Sequence, residues 1–239
     1  MKRVLRWLAV LLLVLVLALA VAFYVAFGRN RPIVDGQVLA PGVETVKDGF
    51  VTAYLLDVGP DVVALVDCGS DKEGRAILAA LARRHLPPSA VAAIFLTHGH
   101  RDHVAGCHLF PGAKVYALKE ELPVIANQVQ VAHPLEDGEG TNVGGLHVET
   151  FAVPGHTPGS AVYLADGVLF FGDSAAGSKD GTLLPAVFFF SNSSTQNVAS
   201  LKSLAEKLRL RANEVKVLAF GHSGPLEGLA PLETFAAQK

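Results

Sequence analysis

Cysteine is scarce in this chain of 239 residues: there are two, Cys68 and Cys107. Two thiols cannot build a disulfide scaffold, and the residues leave open whether they pair or stay as buried free thiols. Charge is sparse as well, with 18% Asp, Glu, Lys and Arg against 51% hydrophobic residues. That balance excludes a disordered, collagen-like or coiled-coil chain. Internal repeats at a solenoid period are missing, and so is any low-complexity segment beyond one apolar run. A basic face is also lacking. The one basic cluster, Lys202, Lys207, Arg209 and Arg211, is spread along a helix-like segment, so a nucleic-acid partner is not expected.

The apolar excess, a mean hydropathy of +0.39, is concentrated at the start. Trp7 to Phe27 is an uninterrupted run without charge, preceded by Lys2, Arg3 and Arg6 and followed by Arg29 and Arg31. At about 1.5 Å per helical residue it spans roughly 31 Å, the thickness of a bilayer's hydrocarbon core. A transmembrane anchor over residues 1–28 is expected, with a polar linker at 29–35 and a folded domain at 36–239. The competing reading is a cleaved signal peptide, for which Ala18, Ala20 and Ala22 offer small residues; the run, however, continues well past the length of a signal core. Either way the domain is expected outside the cytoplasm, at the cell membrane if the anchor is retained. Residues 1–35 carry five basic residues and one acidic residue, so the remainder is acidic, with a net charge of −6.

Strand-like runs follow at Phe50 to Val58, Val62 to Val66, Ala90 to Leu96, Ala113 to Leu118, Leu146 to Val153, Val168 to Phe171 and Val215 to Phe220. Helical spacing marks Lys72 to Leu86, stopped by Pro87 and Pro88, and Val198 to Arg211. The mixture predicts an α/β or α+β sandwich.

The polar residues are placed less evenly. Thr97-His98-Gly99-His100-Arg101-Asp102-His103 follows directly on the apolar run Ala93 to Leu96. So many imidazoles and carboxylates in six residues would repel or crowd one another without a cation, and neutral imidazole with carboxylate is the donor set that suits zinc and related divalent ions. Three more apolar runs end at a Gly followed by one such residue: His156, Asp173 and His222. Four strand ends therefore offer seven candidate metal ligands: His98, His100, Asp102, His103, His156, Asp173 and His222. The isolated His85, His108, His133 and His147 are read as ordinary polar residues.

THGHRDH at 97–103 resembles the T-H-x-H-x-D-H motif of the metallo-β-lactamase superfamily. PGHTPGS at 154–160, FGDS at 171–174 and GHSGP at 221–225 resemble its later motifs in the same order. The resemblance implies a four-layer αβ/βα sandwich with a binuclear metal site at one edge. Carried over, His98, His100 and His156 would hold one divalent ion, Asp102, His103 and His222 the second, and Asp173 would bridge them. Zinc is the expected metal, with iron or manganese as alternatives. The Asp67-Cys68-Gly69 turn is similar to the family's D-x-G turn, whose Asp orients a ligand. Asp at 173 departs from the β-lactamases that have a Cys ligand there, and His at 100 departs from the flavo-diiron branch, which has Glu. Glyoxalase II enzymes share the seven ligands but add a helical C-terminal domain, whereas 17 residues follow His222 here. The expected activity is hydrolysis of an ester-like bond (thioester, lactone or amide) in a small substrate, with Asp102 and Asp173 catalytic. Two alternatives stay open: an oxidoreductase similar to the mono-iron persulfide dioxygenases, and a non-catalytic membrane-tethered accessory protein. Loops 119–133 and 174–197 are expected to choose the substrate. Within the second, Leu183 to Phe190 either lines an apolar pocket or forms a buried strand or hairpin.

Overall fold

The computed structural model describes residues 2–238. It begins with helix α1 (Lys2–Phe27), whose apolar side chains from Val4 to Val21 are exposed, with Trp7 74% exposed. The chain then forms β1 (Val38–Ala40), β2 (Val43–Asp48), β3 (Val51–Gly59), β4 (Val62–Val66), α2 (Arg75–Arg83), β5 (Val91–Phe95), α3 (Arg101–Val104), β6 (Lys114–Leu118), α4 (Leu122–Ile125) and β7 (His133–Leu135). The second half holds β8 (Gly140–Val143), β9 (Leu146–Ala152), β10 (Ala161–Ala165), β11 (Val168–Phe170), β12 (Ala175–Gly177), β13 (Leu183–Pro185), α5 (Ser194–Leu208), β14 (Val217–Ala219), β15 (Leu226–Glu227) and α6 (Ala230–Ala236).

Strands β1 to β7 make one sheet in sequence order, antiparallel up to β4 and parallel from β4 to β7. A second sheet has the order β15-β14-β11-β10-β9-β8. The central strands are nearly continuous apolar runs because both of their faces are buried. In β3, Tyr54 and Leu56 enter the core between the sheets while Ala53 and Leu55 enter the core under α2; in β10, Tyr163 faces inward and Val162 outward. Ile77 and Leu81 of α2 cover the first sheet. Leu201, Leu204 and Leu208 of α5, with Leu232 and Phe235 of α6, cover the second. The result is the helix/sheet/sheet/helix sandwich.

Two buried tyrosines in the inter-sheet core have polar ends that need partners. Tyr54 donates its hydroxyl to the Phe220 carbonyl and Tyr163 donates to the Leu96 carbonyl, both at 2.7 Å. Leu96 and Phe220 are the last apolar residues before the first His cluster and before His222, so the core itself pins those two strand ends.

The structure refines several expected elements. The helix expected at 72–86 is shorter, because residues 72–73 form a turn and Gly74 caps the helix in the left-handed conformation with φ 58°. Leu183 to Phe190 splits between both readings: Leu183–Pro185 pairs with β12, and Phe188–Phe190 form an exposed single turn. Residues 28–32 are bonded to the domain rather than free: Arg31 N donates to Gly177 O at 2.8 Å. Cys68 and Cys107 are joined in a disulfide.

Candidate metal centre

The seven sequence-marked residues are brought to one edge of the sandwich. His98 follows β5, His100 begins α3, and Asp102 and His103 lie within it; His156, Asp173 and His222 follow β9, β11 and β14. Two glycines make this convergence possible. Gly172 has φ 52° and lies where a Cβ would run into the Thr97 side chain, and a Cβ on Gly221 would collide with Asp173 Oδ1. A side chain at either position would push the loops apart.

Two groups of donors result, His98, His100, His156 and Asp173 on one side and Asp102, His103 and His222 on the other, each with its ligand atoms within 4.8 Å of one another. Asp173 lies between them: Oδ2 is 3.0 Å from His222 Nε2 and 3.6 Å from His156 Nε2, and Oδ1 is 3.2 Å from His103 Nε2. Asp102 Oδ2 stands 3.3 Å from His222 Nε2.

Partners behind the rings fix which nitrogen faces inward. His103 Nδ1 donates to Asp67 Oδ2 at 2.7 Å, and His222 Nδ1 donates to the Phe50 carbonyl at 2.9 Å. Thr97 Oγ1 donates to Asp67 and accepts from His98 Nδ1 at 3.1 Å. His156 Nδ1 lies 3.3 Å from Ser191 Oγ. Four rings thus present Nε2 to the centre, while His100 presents Nδ1, 3.0 Å from His156 Nε2. His98 Nε2, His103 Nε2 and Asp173 Oδ1 are buried with no hydrogen-bond partner. Buried polar atoms are almost always satisfied, so orphaned lone pairs converging among imidazoles and carboxylates fit a metal site.

The electrostatics are divided in the same way. Burial, reinforced by repulsion from His103, pushes His98 well below the usual imidazole range, and burial brings His156 down to about 4 against the pull of Asp173. On the other side, burial opposes the charge on His222, but Asp173 and Asp102 raise it to about 10. Burial likewise disfavours an ionised Asp173, yet His222 and His103 hold it well below the usual carboxylate range. Neutral rings on one side and charge-stabilised groups on the other constitute a site where a cation would replace protons.

Sequence reasoning missed Glu121. It sits in the charged stretch Lys119-Glu120-Glu121, which reads as a solvated turn. Its carboxylate is buried and accepts from Gly99 N at 2.7 Å, Thr157 Oγ1 at 2.8 Å and Gly159 N at 2.9 Å. It therefore clamps the loop carrying His98 and His100 to the loop carrying His156. Asn197 of α5 does similar work for the opposite wall, accepting from Ala186 N at 3.1 Å and donating to Ser174 O at 2.9 Å. The four basic residues at 202–211 are drawn into local contacts, with Lys207 on Asp137 and Arg211 on Glu149 and Glu214.

The family model of the metallo-beta-lactamase superfamily matches residues 46–222. The chain belongs to the metallo-beta-lactamase superfamily. Among metallo-beta-lactamase superfamily relatives, it is 32% identical over 168 residues to a hydroxyacylglutathione hydrolase of Serratia proteamaculans (strain 568), covering 69% of this chain and 59% of that one. A hydroxyacylglutathione hydrolase of Yersinia pestis (strain Pestoides F) is 33% identical over 187 residues, 76% of this chain and 68% of that one. The chain thus spans about three fifths of the first of these relatives. A metallo-beta-lactamase family protein from Thermus thermophilus superposes with a TM-score of 0.65 at 25% identity, covering 84% of this chain and 80% of that one. The fold is also that of the B3 metallo-beta-lactamase BLEG-1, with a TM-score of 0.60 at 22% identity over 82% of this chain and 100% of that one.

Proposed function

We propose that this chain is a metal-dependent hydrolase acting on an ester-like acyl bond of a small molecule, with a thioester as the first choice. The observation that carries the reading is the inward convergence of Asp173 and four Nε2 atoms, whose rings each have a partner at Nδ1 that holds their orientation. The similarity to proteins named for hydrolysis of a hydroxyacylglutathione supports the bond type. His98, His100 and His156 would hold one divalent ion, Asp102, His103 and His222 a second, and Asp173 would serve both; zinc suits this nitrogen and oxygen donor set. When bound, such ions supply Lewis acidity, which makes water a nucleophile at neutral pH and polarises a carbonyl.

The chain's own residues do the rest. Asp67 keeps the His103 proton on Nδ1, so that Nε2 remains a lone pair. Glu121 holds the first three rings in register. Asp102 is the carboxylate on the cavity side, its side chain 29% exposed, and it is placed to orient water and hold its proton. We further assign residues 1–28 as a membrane anchor, 29–35 as its connection and 36–239 as an extracytoplasmic catalytic domain. The length and exposure of α1 support the anchor, and the Cys68–Cys107 pair fits an oxidising compartment.

The test is elemental analysis of the full chain with a thioester, lactone, ester and amide panel, repeated on Asp102→Ala and His100→Ala. Two zinc equivalents and activity lost on chelation are expected. Activity that survives chelation and both substitutions would sink the proposal; one iron with oxygen uptake on a persulfide would replace it with the oxidoreductase reading.

A further inference from the structure

The far end of α1 is built into the site. Asn30 forms a β-bridge with Ser178, its side-chain amide donates to the His222 carbonyl at 3.0 Å, and Gly224 N donates to Arg31 O at 2.8 Å. These bonds hold the helix end against the loop that carries His222. The Phe27 ring then lies 5.9 Å from the His222 ring and 6.2 Å from that of Phe190, while Phe50 stacks on His222 at 5.5 Å.

These rings wall a cavity of about 670 Å³ whose floor includes Asp102, Asp173 and His222. That volume lies within the roughly 300 to 1,000 Å³ of small-molecule sites. Arg101 is the one Lys or Arg along its described lining, so a substrate with several carboxylates would meet a single such cation, whereas an aliphatic chain would meet rings and methyl groups. Phe23 and Phe50, which line the cavity, and Phe188 and Phe189 nearby are 58% to 65% exposed. Grouped exposed rings mark a membrane or ligand surface, and aromatic rings gather at the membrane–water boundary. Here they surround the end of the one described helix long and apolar enough to cross a bilayer.

We propose that the substrate is an amphiphile, an acyl thioester or ester that enters from the membrane surface with its aliphatic tail between Phe27 and Phe190 and its carbonyl at the floor. The inference rests on the hydrolase reading above. In the reaction the acyl–sulfur or acyl–oxygen bond breaks and the water oxygen bonds to the carbonyl carbon. One proton goes to the leaving thiol or alcohol, and nothing is oxidised or reduced.

The test uses the full-length, zinc-loaded chain in phosphatidylcholine nanodiscs with soluble acyl thioesters from C2 to C8. Each methylene contributes about fourfold in binding at full burial, so burying even two or three of those added from C2 to C8 should raise kcat/KM about 30-fold across the series. In Phe27→Ser and Phe190→Ser the C8-to-C2 ratio should fall at least tenfold. A flat series in the wild type, or a ratio kept in both variants, overturns the inference while leaving the hydrolase reading intact. Absence of hydrolysis at every length overturns the hydrolase reading. A second measurement then judges the groove: a diazirine-bearing decanoic acid should cross-link to the peptides containing Phe27 and Phe190 and be displaced by decanoate. Labelling elsewhere, or none, overturns the tail site on its own.

Discussion

Removing the clamp at Glu121 should damage one half of the metal site and spare the other. Its three donors are all hydrogen-bonded to the carboxylate, and Gly99 and Gly159 are themselves buried. In Glu121→Ala two backbone N–H groups lose their acceptor, while the Thr157 hydroxyl keeps Ser160 Oγ at 2.7 Å. An orphaned buried donor costs about 1 to 3 kcal/mol, so a destabilisation of about 4 kcal/mol is expected. Glu121→Gln retains one acceptor oxygen but turns an NH2 group toward a donor, for about 1 to 3 kcal/mol. The carboxylate of Glu121 hydrogen-bonds to the loops of His98, His100 and His156, so weakening should fall on the first metal equivalent. Loss of such supporting contacts lowers metal affinity by about 10- to 100-fold. The assay is urea unfolding of the metal-free chain together with a two-step zinc titration of each variant. Unchanged unfolding midpoints, or two steps weakened equally, would refute the clamp.

Asp67→Asn should act on both halves, loosening His103 directly and His98 through Thr97, so both zinc steps should weaken by about 10- to 100-fold in the same titration, and a loss confined to one step would contradict this shared support. Breaking the Cys68–Cys107 pair opens a loop whose ends are 39 residues apart; Cys68→Ser with Cys107→Ser should lose about 4 kcal/mol in denaturant unfolding, and two titratable thiols in the native wild type would contradict the bond. For the metal-free chain, His222 is raised to about 10 because Asp173 and Asp102 outweigh its burial. Its contribution to stability is complete below the ordinary imidazole value of about 6.5 and is lost as pH rises from there to about 10. Thermal unfolding in chelator should therefore show a falling midpoint over that window, and a rising one would reverse the sign of the argument.

The seven candidate residues were legible because each follows an apolar strand run directly or after a short turn, a pattern that survives without any knowledge of topology. The α5 helix was legible for the same kind of reason: Leu201, Leu204 and Leu208 repeat at helical spacing and pack as expected. Glu121 was not legible. It reaches Gly99 only because β5 and β6 run parallel with Phe95 beside Tyr116, and nothing local distinguishes it from Glu120. The bonds of residues 28–32 were hidden too, since most are made by backbone groups that leave no mark in side-chain pattern. The Cys pair depended on α3 turning back toward the end of β4, seen in Cys68 N donating to His103 O at 2.7 Å.

The Asn30 amide on the His222 carbonyl has a consequence for any cut just after α1. A cut downstream of Pro32 would take away Asn30, Phe27 and one wall of the cavity along with α1. The cut form would not present the same site: its cavity would open toward water, and the loop of His222 would lose a support. Removing α1 would thus alter the candidate site itself, so the full-length and cut forms should be assayed as different proteins.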